Sequence, residues 1–197
     1  MTSQLLNPPA QDQRIVKHNS TWQQFKLIQQ GFDDSPGIRL FYYKGTVEIL
    51  AVSPEHEIFK TLIGHLIETF LVERGIEFTP TGSMTTEREG EASAQPDESY
   101  CLGELKSIPD LSVEVVFTSG GASKLERYRV LGVPEVWFWE DGLFTLYHLR
   151  SEGYERIVRS ELLPEIDINL LGRCVLMSSR VEAIRTFRRA IDLVINN

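Results

Sequence analysis

Cysteine is scarce in this sequence: Cys101 and Cys174 are the only two among its 197 residues. Two cysteines are too few for a disulfide framework or for a zinc site built from cysteines. The fold must therefore depend on its hydrophobic core, and we assign no chemistry to either thiol.

Long apolar runs are also missing. No stretch approaches the roughly 18 consecutive apolar residues that a membrane-spanning helix needs. The first residues lack the basic-then-apolar layout of a signal peptide. We therefore expect a cytoplasmic protein that does not associate with membranes.

The chain has no excess of positive charge. Its 20 Lys and Arg residues stand against 28 Asp and Glu residues, which gives a net charge of −8. This balance counts against nucleic-acid binding, whose affinity comes largely from Lys and Arg neutralising phosphates. It does not exclude such binding, because metal-dependent sites concentrate carboxylates and a local basic surface can coexist with an acidic total.

The composition is that of an ordinary globular protein, with 42% hydrophobic and 24% charged residues. Residues 1–19 are polar, contain the adjacent Pro8 and Pro9 and show no periodicity, which predicts a loosely held N-terminus. We expect residues 20–197 to form a single domain, because one domain commonly holds about 150 residues or somewhat more.

Apolar residues at three- and four-residue spacing predict helices in four segments: 20–31, 53–74, 124–131 and 180–195. Ser20 is the expected N-cap of the first helix, and Ser53 with Pro54 marks the start of the second. Ser123 and Glu126 form a candidate capping box for the third.

The last predicted helix has an apolar stripe that includes Val181, Phe187 and Ile191. A symmetric homodimer is the commonest soluble assembly, so we predict a homodimer. Four arginines on the same helix could contact phosphate, although a solvated charged face is the more ordinary interpretation.

Segments rich in β-forming residues alternate with these helices. IRLFYY and TVEILAV, separated by Lys44 and Gly45, predict a hairpin. Strands are also expected at 77–87, 97–103 and 111–118, in one sheet with a strand at 134–140 that opens an antiparallel meander. The order of elements predicts an α/β fold, with a mixed sheet covered by helices.

Glu114 is an anomaly within the apolar strand LSVEVVF. Strand side chains alternate, so Ser112, Glu114 and Val116 share one face. An ionised carboxylate buried there costs several kcal/mol unless a cation, a metal or a set of donors compensates it. A functional site and a carboxylate satisfied by a neighbouring Arg or Lys are equally consistent with this strand alone.

Asp97 follows Pro96 and opens the preceding predicted strand. Adjacent strands lie only about 4.8 Å apart. Asp97 and Glu114 could therefore share one divalent cation such as Mg²⁺, which prefers hard oxygen ligands. A lone Asp at the start of a strand is more commonly a turn former.

Lys124 lies in the first turn of a predicted helix, where a cation opposes the helix dipole. An anionic pocket would explain this placement. Tyr128 is four residues further along and shares the same helix face, so both side chains can point at the sheet that carries Glu114. A solvated surface lysine is the alternative interpretation.

Several motifs together resemble a known family. QPDESY, PDLSVEVVFTS and KLERYRVLGVPEVWFW, with GIRLFYYKGTVEILAVSPEHE upstream, resemble the putative restriction endonuclease family of the PD-(D/E)XK nuclease superfamily. The match covers most of the chain from Gly37 to Glu165. A PD dipeptide alone is weak, but PD, PDLxxE, KxxxY and GVPEVW in this order are specific. The resemblance implies a restriction-endonuclease-like core, here with an N-terminal hairpin and a C-terminal helix.

The resemblance also implies roles for individual residues. Asp97 takes the place of the family's aspartate and Glu114 that of the (D/E) residue, so both would ligate Mg²⁺, with Mn²⁺ as a substitute. Val116 stands where the superfamily pattern has lysine. Lys124, on the next helix, would supply the migrated lysine.

Other polar residues near these motifs have less defined roles. His56, in SPEHE, matches an SPxHE-like motif and is a further candidate catalytic residue, although a capping or packing histidine is about as consistent with its position. Glu57 favours the helix dipole in any case. Asp110 lies roughly 13 Å from Glu114 along the strand, too far to share one ion directly, so we assign it a structural or supporting role.

The resemblance implies Mg²⁺-dependent hydrolysis of a phosphodiester, with nucleic acid as the partner and DNA favoured over RNA. The ion held by Asp97 and Glu114 would polarise the phosphate and activate a water, while Lys124 would stabilise the developing charge. The alternative is a binding or structural protein that keeps this fold without turnover, because a fold hosts many functions.

Overall fold

The computed structural model of the chain describes residues 11–117 and 121–195. These residues form a mixed α/β structure with two sheets and five helices. The strands are β1 (Gln13–Lys17), β2 (Ile38–Tyr43), β3 (Thr46–Ala51), β4 (Phe78–Pro80), β5 (Thr86–Arg88), β6 (Ala92–Ala94), β7 (Glu98–Leu102), β8 (Leu111–Val116), β9 (Glu135–Glu140), β10 (Leu143–Arg150) and β11 (Gly153–Ile157). The helices are α1 (Trp22–Gly31), α2 (Pro54–Glu73), α3 (Gly121–Leu131), α4 (Ile168–Val175) and α5 (Arg180–Ile195).

The first sheet is antiparallel and has the strand order β1-β3-β2-β6-β5. The predicted hairpin is present as β2 and β3, which pair from Ile38–Ala51 to Tyr43–Thr46. Lys44 and Gly45 form its turn with φ values of 42° and 83°. Two positive φ values are typical of the tight turns whose twist matches that of the flanking strands.

The second sheet has the order β11-β10-β9-β8-β7-β4. Only β8 and β9 pair in parallel among its described strands, and α3 lies between them in the chain. β9, β10 and β11 form the predicted antiparallel meander. The sheet is therefore mixed, as the order of elements predicted.

The two faces of the second sheet are covered differently. On one face, Val113 and Val115 of β8 join a core cluster with buried residues of α2, α4 and α5. On the other face, Val116 joins Tyr128 of α3 and Phe41 of the hairpin in a second cluster. Because side chains alternate along β8, Glu114 faces α3 and the first sheet.

The prediction that the strands at 77–87, 97–103 and 111–118 share a sheet with the strand at 134–140 is confirmed for β4, β7, β8 and β9, which are neighbours in the second sheet. It is wrong for the end of the first of these segments. β5 and β6 pair with each other, and β6 pairs with β2, so both belong to the first sheet. Each of these strands has only three residues. Such short segments carry no alternation that could indicate their partner strand. Residue 118, the end of the third predicted strand, lies outside the described residues.

The structure differs from the prediction of a loosely held N-terminus over residues 11–19. Gln13–Lys17 form β1, which pairs with β3 along its whole length. All five side chains of β1 are exposed, so this edge strand has no apolar face that the sequence pattern could reveal. Residues 1–10 lie outside the described part of the chain, and the division into residues 1–19 and 20–197 stays a prediction.

The helix boundaries correct two predicted caps. Thr21 rather than Ser20 caps α1, in a capping box with Gln24. α3 begins at Gly121, so Ser123 lies inside the helix and cannot be its N-cap. Lys124 is consequently the fourth residue of α3. The sequence patterns did not predict α4, whose N-cap is Asp167.

The apolar stripe of α5 is used inside the chain. Phe187 and Ile191 are buried in the cluster that α5 forms with α2 and α4, whereas Val181 is 56% exposed. Arg188 pairs with Glu73 of α2 at 2.5 Å. Because these residues of the stripe are already buried within the chain, the stripe is no longer an argument for a homodimer. In 11–117 and 121–195, no helix has both the length and the apolarity needed to cross a bilayer.

Candidate active site

Asp97 and Glu114 lie on neighbouring antiparallel strands. β7 and β8 pair from Glu98–Val113 to Tyr100–Leu111, and Asp97 directly precedes β7 at the end of this ladder that is nearer to Glu114. Asp97 is held there by its backbone N–H, which donates to Val113 at 3.1 Å, and by its Oδ2 atom, which accepts from the Val115 N–H at 2.8 Å.

Glu114 has two partners on α3. Its Oε2 atom lies 3.3 Å from Lys124 Nζ, and its Oε1 atom accepts a hydrogen bond from the Tyr128 hydroxyl. Lys124 is 5% exposed, which excludes a solvated surface lysine. Burial raises the pKa of Tyr128 well above its usual value, and the charge of Glu114 raises it further. Tyr128 is therefore a neutral hydrogen-bond donor at physiological pH.

His56 lies between two buried carboxylates. Its Nδ1 atom is 2.7 Å from Asp12 Oδ2, and its Nε2 atom is 2.9 Å from Asp97 Oδ1, although this second contact is not aligned as a hydrogen bond. Burial lowers the pKa of His56, but the hydrogen bond to Asp12, the close contact with Asp97 and the charges of both carboxylates more than offset this and raise it to about 9. The ring is therefore an imidazolium at neutral pH and forms ion pairs with both carboxylates.

Asp12 is a residue of this site that the sequence patterns did not indicate. Its Oδ1 atom accepts from the Ser53 N–H at 2.8 Å, just before α2. Burial raises the pKa of Asp12, but the hydrogen bond to His56 and the other contacts lower it below its usual value. Asp12 precedes an edge strand with exposed side chains, so no local pattern distinguishes it from the polar residues around it.

A second buried ion cluster lies beside Lys124. Arg127 Nη1 is 3.3 Å from Glu48 Oε2, and Arg14 Nε is 2.9 Å from Glu48 Oε1. The Arg127 guanidinium stacks 3.9 Å from the centre of the Phe41 ring, and Lys124 Nζ lies 5.8 Å from the same centre. Such contacts are favourable for cations whose solvation has been removed.

The sequence carried a signal for part of this second cluster. Glu48 interrupts the apolar strand TVEILAV, which is the same anomaly that singled out Glu114. Arg127 follows Lys124 by three residues and so shares its helix face. Arg14, like Asp12, comes from the segment that was predicted to be loosely held.

Asp97 and Glu114 fit a hard divalent cation. Each of their four oxygens has one contact with another described residue. A carboxylate oxygen has two lone pairs, so such a contact still allows a second partner. In the described ranges, no group of three or more His, Cys, Asp or Glu side chains could hold a metal. Mg²⁺ usually retains several waters, so two carboxylates are a sufficient protein contribution.

The remaining acidic candidates lie elsewhere. Asp110 precedes β8 at the end away from Glu114, where its Oδ2 atom accepts from the Leu102 N–H at 2.7 Å and pairs with Lys106 at 2.6 Å. It therefore has a structural role in joining β7 to β8. Glu57 is 40% exposed and pairs with Arg39 at 3.1 Å.

The glutamate of GVPEVW is fully buried and satisfied by hydrogen bonds. Glu135 Oε1 accepts from Trp137 Nε1 at 2.6 Å, and its Oε2 atom lies 3.2 Å from His148 Nδ1. Oε2 also accepts from the backbone N–H groups of Glu161 and Leu162 at 3.1 and 3.3 Å. Glu135 thus ties the segment after β11 to the sheet, and this motif residue has a structural role.

A solved structure from Anabaena variabilis ATCC 29413, described as a putative nuclease belonging to DUF820, is similar to this chain with a TM-score of 0.46 and 14% sequence identity. The similarity covers 75% of this chain and 90% of that chain. No curated protein matches the sequence. The model of the Uma2 family, described as putative restriction endonuclease, matches residues 22–174, and the chain therefore belongs to this family.

Proposed function

We propose that the protein is a Mg²⁺-dependent phosphodiester hydrolase that acts on nucleic acid, with DNA favoured over RNA and a PD-(D/E)XK-type core. The observation that carries the proposal is that Asp97 is hydrogen-bonded to the β8 residues on either side of Glu114, whose carboxylate lies 3.3 Å from Lys124 Nζ. The description of the family as putative restriction endonuclease supports the same chemistry.

Asp97 and Glu114 are the residues that would hold the ion. Bound Mg²⁺ supplies positive charge to the scissile phosphate and lowers the pKa of a coordinated water. His56 and the Val115 N–H hold the two oxygens of Asp97, and Lys124 and Tyr128 hold those of Glu114. The carboxylates are therefore oriented before any ligand arrives, which is the arrangement that electrostatic catalysis requires.

Lys124 would stabilise the negative charge that develops on the phosphate in the transition state. It is the only one of these side chains that combines a permanent positive charge with three donors. Tyr128 already donates to Glu114, so Lys124 can direct a donor toward substrate while Glu114 keeps one partner.

A non-catalytic binding protein with the same fold is the second candidate. The observation in its favour is that every oxygen of Asp97 and Glu114 already has a protein partner. The buried acids Asp12 and Glu48 are likewise paired with His56, Arg14 and Arg127. A set of charges that is satisfied in this way can also serve stability alone.

A cleavage assay separates the two candidates. Single-stranded and duplex DNA and RNA are incubated with the protein in Mg²⁺, Mn²⁺ or EDTA. We expect cleavage of DNA that requires the metal and is lost in Asp97→Asn, which keeps the side-chain volume but removes the charge. Absence of cleavage on every substrate with both metals would reject the hydrolase and leave the binding protein.

The homodimer is retained as a proposal. The burial of the α5 stripe leaves it supported only by the general prevalence of two-fold assemblies. We expect light scattering at micromolar concentration to give twice the chain mass of 22.5 kDa. A particle of one chain mass would reject it.

A further inference from the structure

Asp12 makes two contacts that meet at the start of α2. One carboxylate oxygen accepts from the Ser53 N–H at 2.8 Å, and the other lies 2.7 Å from His56 Nδ1. The Asp12 side chain is 2% exposed and the His56 side chain is fully buried. A carboxylate held so deeply by two partners is fixed in orientation as well as in position.

The orientation of the His56 ring follows from Asp12. An ionised carboxylate only accepts hydrogen bonds, so the Nδ1 atom that faces it must carry a proton. The edge of the ring also packs against Phe117, with ring centres 5.7 Å apart. These contacts direct Nε2 toward Asp97 Oδ1, 2.9 Å away.

The orientation of Asp97 follows in turn from His56. Its Oδ2 atom is held by the Val115 N–H, and its Oδ1 atom has His56 as the side-chain partner. Groups that contact a metal-ligating side chain without contacting the metal affect metal affinity strongly, because they set the direction of the ligand's lone pairs. The chain of contacts therefore runs from Asp12, 44 residues before His56, to the carboxylate that would bind the metal.

We propose that Asp12 is a positioning residue that acts through His56 to orient Asp97 for the divalent cation, so that the segment leading into β1 is part of the active site. This inference rests on the proposed function. The competing explanation is that Asp12 only anchors the start of α2 through Ser53.

The test measures Mn²⁺ affinity by titration calorimetry rather than activity. We expect Asp12→Ala to weaken Mn²⁺ binding by about 10- to 100-fold, the usual effect of removing a group behind a metal ligand. His56→Ala should weaken it by a similar factor, because the loss of the group that orients Asp97 outweighs the removal of a cation beside it. The double variant should bind no more weakly than His56→Ala, because the two residues act in one chain of contacts.

Ser53→Ala is the matched control. It removes the side-chain cap of α2, which accepts from the His56 N–H at 3.3 Å, but leaves Asp12 and the imidazole in place. It should lower stability by about 1 kcal/mol, as the loss of a cap usually does, without changing the Mn²⁺ affinity. If Asp12 only anchors α2, Ser53→Ala and Asp12→Ala should have the same effect on affinity, and this result would overturn the proposal.

The outcomes separate this inference from the proposed function. If the wild-type protein binds no Mn²⁺, or if Asp97→Asn binds it as well as wild type, the metal site itself fails and the inference fails with it. If Asp97→Asn loses binding while Asp12→Ala keeps wild-type affinity, the inference alone is wrong.

A measurement on the wild-type protein covers the case in which Asp12→Ala does not fold. The chain has four histidines, so their ring resonances can be followed by NMR during a Mg²⁺ titration. We expect the His56 resonances to shift while those of His148, which pairs with Glu135, stay in place. Unchanged His56 resonances at saturating Mg²⁺ would overturn the proposal.

Discussion

Replacing Lys124 by methionine should lower cleavage by about 10²- to 10³-fold, the usual effect of removing one group that stabilises transition-state charge. The same variant should keep or increase the rise in melting temperature that Mn²⁺ produces. Lys124 lies 3.3 Å from Glu114 and competes with the ion for its carboxylate, so its deletion removes a competing cation. Catalysis and metal binding would then respond to one substitution in opposite directions.

Asp97→Asn and Glu114→Gln should lose both properties. At a free Mn²⁺ concentration 100 times the dissociation constant, the wild-type protein should gain about 2.7 kcal/mol in the free energy of unfolding. Neither variant should show this gain, since each removes one of the two charged ligands. The conservative substitutions matter because the amide oxygen of Gln can still accept hydrogen bonds, whereas Glu114→Ala would leave the buried Lys124 and Tyr128 without an acceptor.

The comparison is made between melting temperatures with and without metal for each variant. This removes the stability change that the substitution itself causes, including the loss of a buried ion pair in Lys124→Met. Lys106→Met and Asp110→Asn are the controls, because they alter another pair between a lysine and a carboxylate, which is more exposed and lies away from the site. Both should retain cleavage and metal stabilisation.

Two results would contradict the assignments separately. Unaltered cleavage by Lys124→Met would remove the lysine from the mechanism. Metal stabilisation that survives Asp97→Asn would point instead to Glu55 and Glu57 in the first turn of α2.

Glu135→Ala should be the most destabilising substitution outside the candidate site. It would leave Trp137 Nε1 and two backbone N–H groups without their acceptor, as well as removing the partner of His148. Each unsatisfied buried donor costs about 1–3 kcal/mol. We expect a loss of about 3–5 kcal/mol in the free energy of unfolding, which is comparable to the loss of one partner from a buried ion pair.

Urea unfolding provides the measurement, and Glu155→Ala is the matched control. Glu155 lies on β11, which is separated from the strand of Glu135 by β10. It is 60% exposed and pairs with Arg150 at 2.8 Å. An exposed pair contributes at most about 1 kcal/mol. Equal losses in the two variants would show that the buried network around Glu135 does not stabilise the fold.

Much of the local structure could be predicted from short stretches of sequence. The β2–β3 hairpin, the start of α2 at Ser53 and Pro54, and the extent of α5 follow from signals within a few residues of each other. The alternation along β8 separated Glu114 from Val113 and Val115, which do face the opposite core cluster. The shared helix face of Lys124 and Tyr128 predicted their common direction, and both contact Glu114.

The start of α3 shows a limit of such signals. Ser123 and Glu126 have the spacing of a capping box, yet the helix begins at Gly121. A capping box identifies a residue at which a helix could begin. The tertiary environment decides whether the helix begins there or at an earlier residue. The burial of the α5 stripe is a similar case, because an apolar stripe indicates a buried face without saying which surface covers it.

By itself, the sequence determined the helical and strand periodicities, the family motifs and the unusual positions of Glu114 and Glu48. The tertiary structure alone decided that β5 and β6 join the first sheet, that Asp97 is hydrogen-bonded to Val113 and Val115 of β8, and that Asp12 reaches His56. The physical reason is the separation along the sequence between the residues involved. Periodicity depends on side chains that are close together in the chain. The Asp12–His56 contact joins residues 44 apart and depends on the pairing of the whole strand β1 with β3.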